Sequence, residues 1–597
     1  MTYVAEALSD AKKAFSSGIF NKAEMLCQQA LICNESEAEA LHLLGLLNYQ
    51  KGDNDNAESC IRKALQFEPY RAIYYNSLGI VLAASGRTAE AIENYQQAIK
   101  IKPAFAHAHN NLGLVFQENR MLDEAVESYH KALAVKADFA TVYNNLGNAF
   151  RDAGRLDEAI QSYRQALDLK PDFSIPFSNY LYTLNFYPDC SPDLIFLEHK
   201  RWAASQKMSA CKCSGSRVPY TNNRSHDRCL KVGYVSPDFR AHPVANFIEP
   251  VLANHDPEKV EIFCYSNLAS VVESNDLVTE RIKSMVGNWV NIHGRSDADV
   301  FKLITDDKID ILVDLSGHSE NNRLSLFLKK PAPIQVTYLG YPNTTGLEEM
   351  DYLLTDEIID PPGRSNRYTE KILYLQNGFA CYFHNRDSPD VAPPPALSRG
   401  YVTFASFNDL SKLNDNVISL WSRLLEAVPG SRLVIYRDTL KGSIKDYFYR
   451  RFIDCGINEK SLELRCSPLN GKDYLSDYQD IDIALDTFPW NGHATTCETL
   501  WMGVPVITLS GKTHASRMTS SVLSVIGLSH LIAGDEDEYI RIAEKMAGNI
   551  SQLEELRMSL RNIMLSSPLC DGKSFTKNLE DTYRSIWVKW CSNKQDI

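Results

Sequence analysis

The sequence has 597 residues, 44% hydrophobic and 23% charged, a globular composition with room for three or four domains. A formal net charge of −13 argues against a general nucleic-acid binder and against a protein that coats anionic membranes, while leaving room for a local basic pocket. No apolar run reaches the length of a membrane span. The start, "MTYVAEALSDAKKAF", lacks the basic end and apolar core of a secretory signal, and fourteen scattered cysteines fit reduced thiols, so a cytoplasmic setting is expected. Cys211 and Cys213 form a Cys-x-Cys pair with no second pair at zinc-site spacing, so no metal is expected there.

From the N-terminus, Leu44-Gly45, Leu78-Gly79, Leu112-Gly113 and Leu146-Gly147 recur every 34 residues, as do Ala23, Ala57, Ala91, Ala125 and Ala159. Pro69, Pro103 and Pro171 mark the ends of units, with Ala137 in one such place. Each unit reads as two amphipathic helices, small residues sitting where the helices cross. This pattern resembles the tetratricopeptide repeat and predicts an α-solenoid over residues 1–185 with a concave binding face. Asn111, Asn145 and Asn179 share the period, with Ser77 one unit earlier. Two readings are open for them: filler of the repeat consensus, or a ladder of amides that grips the backbone of a protein acceptor.

Residues 186–228 are expected to link the repeats to the remainder of the chain, because "CKCSGSRVPYTNNRSHDR" is polar and irregular. Strand-like runs then alternate with helix-like ones: "LKVGYVS", "VEIFCYSN", "IDILVDLSG" and "IQVTYLGYP". A proline-rich stretch, 385–400, interrupts the series. It resumes with "YVTFASFN", "SRLVIYRD", "SLELRC", "DIDIALDTF" and "VPVITLSG". Such alternation predicts parallel sheets covered by helices, here as two Rossmann-like domains, 229–395 and 396–597, whose ligands bind beyond the carboxyl ends of strands.

Four polar stretches follow predicted strands: "SPDFRAHPVANF", "SGHSENNRL", "SFNDLSKLN" and "NGHATT". They offer His242, His318, Lys412 and His493 with Asn and Thr donors. The last stretch, Asn491-Gly492-His493-Ala494-Thr495-Thr496, opens a predicted helix, whose N-terminal N–H groups and partial positive charge favour anions. Nucleophile-elbow, Walker-lysine and Gly-x-Gly-x-x-Gly patterns are absent from the sequence. Asp480-Ile481-Asp482 opens a strand, the wrong end for a cleft metal, and is read as structural. With no metal expected, a departing diphosphate would need cations and N–H dipoles, which Lys412 and the 491–496 segment supply. His514 and His530 are read as non-catalytic, Trp490 and Trp501 as packing residues, with Trp490 also a candidate border of a ligand pocket. His318 has a second reading as a loop histidine bonded to backbone.

Repeats fused to two such halves, with "VGYVSPDFRAHPV", "PAPIQVTYLGYPNTTG", "FNDLSK" and "NGHATTCETLWMGVPVIT" in this order, resemble the O-linked N-acetylglucosamine transferase family and its SPINDLY-type branch. The resemblance implies an α/β GT-B fold after the solenoid and an inverting transfer to Ser or Thr of proteins, without cofactor or metal. It implies His242 as a base or acceptor-orienting group and Lys412 on the donor diphosphate. His493, Ala494 and Thr495 match a phosphate-holding His-Thr-Thr run whose middle hydroxyl is lost here. Glu498 matches an aspartate on ribose hydroxyls, and Lys472 a lysine near the nucleoside. Asp409 stands where the transferase has glutamine, and Tyr474 where histidine is common. Asn491 and Gly492 complete the expected nucleotide-sugar set. UDP-GlcNAc is the expected donor, because "PWNGHATT" keeps the Asn-Gly-His run of the N-acetylglucosamine enzymes. GDP-fucose is the alternative, since the SPINDLY branch includes fucosyltransferases and "GYPNTTG" and "GHSENNRL" look SPINDLY-like. A non-catalytic scaffold with a degenerate transferase half is a further alternative. Expected partners are protein substrates held by the solenoid, with neither nucleic acid nor membrane; a homo-oligomer is left open.

Overall fold

The computed structural model describes residues 2–211, 219–363, 365–383, 387–467 and 474–592. Cys213 and Lys472 lie outside the described residues. The chain divides into two compact units, Met1–Phe150 and Arg151–Ile597. Among the described residues no helix is long and apolar enough to cross a membrane.

The first unit is made of paired antiparallel helices, among them Ala72–Ala84 with Thr88–Ile101 and Ala106–Glu118 with Leu122–Val135. The recurrent Leu-Gly has a steric cause. A Cβ on Gly79 would stand 2.6 Å from the Tyr95 ring, one on Gly113 2.6 Å from Tyr129, and one on Gly45 2.5 Å from the Ile61 side chain. The glycine of the first helix is thus the seat for a large side chain of the second, and Ala57, Ala91 and Ala125 are fully buried beside it.

The periodic asparagines are tied to one another. Asn144 donates to Asn145 (3.3 Å), Asn145 to Asn110 (2.9 Å), Asn110 to Asn111 (3.2 Å) and Asn111 to Asn76 (3.0 Å). His42 and Ser77 repeat the same offset at 2.8 Å. Asn145 is buried and Asn111 half-buried. Asn111 and Asn145 each commit one amide N–H and one lone pair to these bonds, which tie neighbouring repeats together. Each amide that loses its partner in such a chain costs about 1–3 kcal/mol. The double variant Asn111→Ala/Asn145→Ala should therefore lower the urea midpoint of the repeats, followed by circular dichroism. An unchanged midpoint would show that the bonds contribute nothing net.

The second unit opens with the last repeat. Asn179, in helix Ser174–Leu184, is buried there. The expected boundary at 185 is displaced, because helix Ser174–Leu184 and its neighbours are stitched into the sheet-bearing part. Asn185 donates to Tyr341 Oη (3.0 Å) and accepts from Asn343 (2.9 Å). Residues 186–228, read as a linker, contain a helix of 20 residues, Pro192–Cys211, whose Trp202 is fully buried.

Two parallel sheets come next. The first comprises β1 (Leu230–Ser236), β2 (Val260–Ser266), β3 (Asn288–Asn291), β4 (Ile311–Asp314), β5 (Ile334–Thr337), β6 (Tyr352–Thr355) and β7 (Lys371–Tyr374), in the order β3-β2-β1-β4-β5-β6-β7. The second comprises β8 (Thr403–Ser406), β9 (Arg432–Tyr436), β10 (Leu462–Arg465), β11 (Ile483–Leu485), β12 (Val506–Leu509) and β13 (Ile532–Ala533), in the order β10-β9-β8-β11-β12-β13. Helices cover both faces, so the central strands are apolar throughout rather than alternating. Each sheet reverses its winding once, between β1 and β4 (Val232 beside Ile311) and between β8 and β11 (Phe404 beside Ile483). These reversals are the points where loops splay apart and ligands enter.

Asp480-Ile481-Asp482 has the structural role expected of it. Fully buried Asp482 accepts N–H bonds from Ala396 (3.0 Å) and Thr403 (2.8 Å), pinning the start of β8, while Asp480 pairs with Arg399 and Arg465. The last helix, Gly572–Ser592, returns to the first sheet: Trp587 donates to Ser225 O, Arg584 to Arg228 O, and His255 meets Glu580 at 3.0 Å.

Candidate functional site

The four polar stretches singled out in the sequence are the loops after β1, β4, β8 and β11, the strands that flank the two reversals. Three of them build the site.

The loop after β11 turns tightly into helix Ala494–Trp501. Asp486 fixes the turn. Its buried carboxylate accepts the Gly492 N–H (2.7 Å), the Thr487 N–H (2.9 Å) and the Thr508 hydroxyl (2.7 Å). Asn491 donates to Thr487 O (2.7 Å), and Thr519 to Gly492 O (2.7 Å). Glycine is required at 492 by space: a Cβ would lie 2.6 Å from Thr496 Oγ1. The first bond inside the helix runs from Cys497 N–H to His493 O (3.0 Å), so the N–H groups of Ala494, Thr495 and Thr496 form its open N-terminus. Thr496 turns its hydroxyl inward to Thr519 (2.9 Å), leaving Ala494 and Thr495 as the partly exposed members of the run.

Lys412 reaches this turn from the loop after β8. Its ammonium donates to Asn491 O (2.8 Å), lies 3.5 Å from Asn408 Oδ1 and stands 5.7 Å from the Trp490 ring centre. Burial pushes its pKa down to about 8, opposed by the charge of Asp486. His493 lies flat against Phe247, with ring centres 4.2 Å apart and planes within 6°. Phe247 belongs to the helix after β1, so this stack joins the two halves. Burial, followed by the charges of His514 and Lys412, holds the His493 pKa down at about 3, so the ring is neutral.

Further along the helix, Glu498 and Tyr474 are hydrogen-bonded neighbours. Burial raises the Glu498 carboxyl to about 7, and burial together with Glu498 raises the Tyr474 hydroxyl. Asp409 is held in an ion pair by Arg437.

The loop after β1 carries His242. Its Nδ1 lies 3.6 Å from Asp238 Oδ1 and 3.3 Å from the Val244 N–H. Burial and then Arg240 lower the His242 pKa to about 3, and burial raises the Asp238 carboxyl to about 7. Among the described residues no group of three or more His, Cys, Asp or Glu side chains is placed to hold a metal ion.

The profile of glycosyl transferase family 41 matches residues 204–391 and 396–579. The chain belongs to glycosyltransferase family 41. Tetratricopeptide-repeat profiles match 38–71, 81–119, 121–150 and 140–173. A protein of Solanum lycopersicum, "Probable UDP-N-acetylglucosamine--peptide N-acetylglucosaminyltransferase SPINDLY", is 38% identical over 69% of this chain and 44% of its own length. A similarly titled protein of Arabidopsis thaliana, SEC, is 34% identical over 61% of this chain and 38% of its own. The chain thus spans less than half the length of these relatives. The O-GlcNAc transferase of Thermobaculum terrenum is similar in structure, with a TM-score of 0.81 and 34% identity over 87% of this chain and 98% of that one. Repeats followed by two parallel sheets are accordingly the family 41 arrangement, a GT-B-type fold.

Within this family 41 fold His318 follows its second reading, a loop histidine bonded to backbone. His318 is not in the cleft. It is fully buried, with Ser178 Oγ 3.0 Å from Nδ1 and Thr345 O 2.9 Å from Nε2, and Trp202 packs edge-on at 4.5 Å. Both nitrogens are used, so no acceptor can reach them. His514 is also buried, against Asp360 at 2.7 Å. Trp490 stacks on Phe186 at 4.5 Å, and Trp501 bonds Ser388 at 3.0 Å, as packing residues do. Asp486 and Phe247 are site residues that the sequence does not announce. Asp486 lies within the apolar run "IDIALDTF" and reads there as a strand residue; its position one step past the last strand residue is the available signal.

Proposed function

We propose that the chain is a protein O-glycosyltransferase that moves a sugar from a nucleotide sugar, UDP-GlcNAc, to Ser or Thr of proteins, inverting the anomeric centre and needing no metal. One observation carries this reading: a half-buried ammonium and the open N-terminus of a helix meet at Asn491, at the switch point of the second sheet, the kind of place that suits a nucleotide diphosphate. Lys412 and the N–H groups of Ala494 and Thr495 would hold the diphosphate, and the Glu498–Tyr474 pair the ribose and base.

In the transfer, the acceptor hydroxyl oxygen forms a bond to C1 from the face opposite the phosphate, and its O–H bond breaks with the proton passing to water. The C1–O bond to phosphate breaks, and its electron pair passes to the diphosphate. That group gains charge as it leaves, so the Lys412 ammonium and the helix dipole stabilise the transition state more than the bound donor. These two supply the charge that a metal supplies elsewhere, the ground for proposing metal independence. His242 is neutral and too weak a base for efficient proton removal at neutral pH, so its role here is to orient the acceptor hydroxyl.

GDP-fucose is a second reading, carried by the SPINDLY-like "GYPNTTG" and "GHSENNRL" segments, whereas the titles of the SPINDLY and SEC relatives both name UDP-N-acetylglucosamine. Calorimetric titration of UDP-GlcNAc, UDP-glucose and GDP-fucose in excess EDTA separates the cases. UDP-GlcNAc should bind, and mass spectrometry of a protein substrate should then show N-acetylhexosamine on Ser or Thr. Binding of GDP-fucose alone moves the assignment to the second reading. Binding or transfer only after Mn²⁺ is restored rejects metal independence, and no binding of any nucleotide favours a non-catalytic scaffold.

A further inference from the structure

We infer that Asp486 is a positioning residue whose carboxylate keeps Lys412 a cation and holds the turn that presents Asn491 O to it; this deepens the proposed donor site and rests on that reading. The carboxylate is fully enclosed, yet its close hydrogen bonds go to neutral groups: the N–H groups of Gly492 and Thr487 and the Thr508 hydroxyl. The charge is therefore not cancelled by a direct ion pair, and it acts through space. Asn408 stands between the two groups, with Oδ1 3.5 Å from Lys412 Nζ and Nδ2 3.4 Å from Asp486 Oδ1. The opposite ends of one amide dipole thus face an ammonium and a carboxylate.

The other groups around Lys412 do not compete. Asp409, on its own loop, is taken by Arg437 at the end of β9. His493, at the helix start, is neutral. His514, after β12, is turned to Asp360. Asp486 is the carboxylate whose charge bears on Lys412, and it opposes the burial that pushes the ammonium towards neutrality. The same carboxylate anchors Gly492, so it sets the geometry of the clamp and the charge inside it together. Geometry would persist in an isosteric amide; the charge would not.

The test uses UDP and GDP as probes on the full chain, with affinity measured by calorimetry from pH 6 to pH 9. Wild type should lose affinity as pH rises through about 8, where Lys412 deprotonates. Removing a neighbouring negative charge lowers a lysine pKa, so Asp486→Asn, referred to its own affinity at pH 6, should start to lose affinity about one pH unit lower than wild type. Asp486→Glu should restore the wild-type limb. A wild-type limb in Asp486→Asn, or an equal loss at every pH, overturns the inference. Failure of wild type to bind either nucleotide at any pH overturns the donor-site reading and this inference with it.

Discussion

Lys412→Ala is expected to reduce transfer at least about 10²-fold, the usual cost of removing a group aimed at developing charge. The lysine is half-buried and makes its closest bond to a backbone carbonyl, Asn491 O at 2.8 Å, so its loss leaves no buried carboxylate newly unpaired by a direct contact. The fold should survive, as judged by an unchanged thermal transition. The rate loss should also exceed the loss of UDP affinity, because the ammonium meets more negative charge when the diphosphate departs than when it is still bound. Retention of more than about a tenth of wild-type turnover would remove Lys412 from the proposed role.

His242→Ala should divide the constants differently. The residue lies on the loop after β1, whereas the diphosphate clamp is built from the loops after β8 and β11. Turnover is expected to fall about 10²-fold, as misplacement of a reacting group does, while UDP affinity stays within a few fold of wild type. Because burial holds its pKa at about 3, His242 is already neutral throughout the range above pH 5 and contributes no titration limb there. Asp238 and Glu498 are the carboxyls raised to about 7, so an acid limb near pH 7 belongs to one of them: a limb from Asp238 should disappear in Asp238→Asn and persist in His242→Gln, and one from Glu498 should survive both. Parallel loss of UDP affinity and turnover in His242→Ala would make the histidine a donor ligand.

Much of this arrangement is legible in the sequence because its signals are local. The Leu-Gly period reports a steric fit between two adjacent helices, and the strand–helix alternation with polar segments after apolar runs locates loops at strand ends. The "NGHATT" run reports a helix start. The features that stay hidden depend on residues far apart in the chain. His318 follows a strand just as the clamp does, and nothing nearby in the sequence announces that Ser178 and Trp202 close over it. Phe247 becomes part of the site only because the two halves meet on His493. The asparagine period shows that the residues share a face but not which way that face points, and the amides are turned toward their neighbours. The helix Pro192–Cys211 is obscured in the sequence by the polar run after it, which dominates the character of the segment.

The return of helix Gly572–Ser592 to the first sheet has a consequence for synthesis. The strands of that sheet leave the ribosome long before the helix whose Trp587, Tyr583 and Leu579 complete its core. At about 5–20 residues per second the interval is on the order of half a minute. Through it, Tyr234 lacks Tyr583 and His255 lacks Glu580, so the nascent first half carries an uncovered apolar face. Completion of the first half therefore waits until helix Gly572–Ser592, which follows the second half in the chain, has been made.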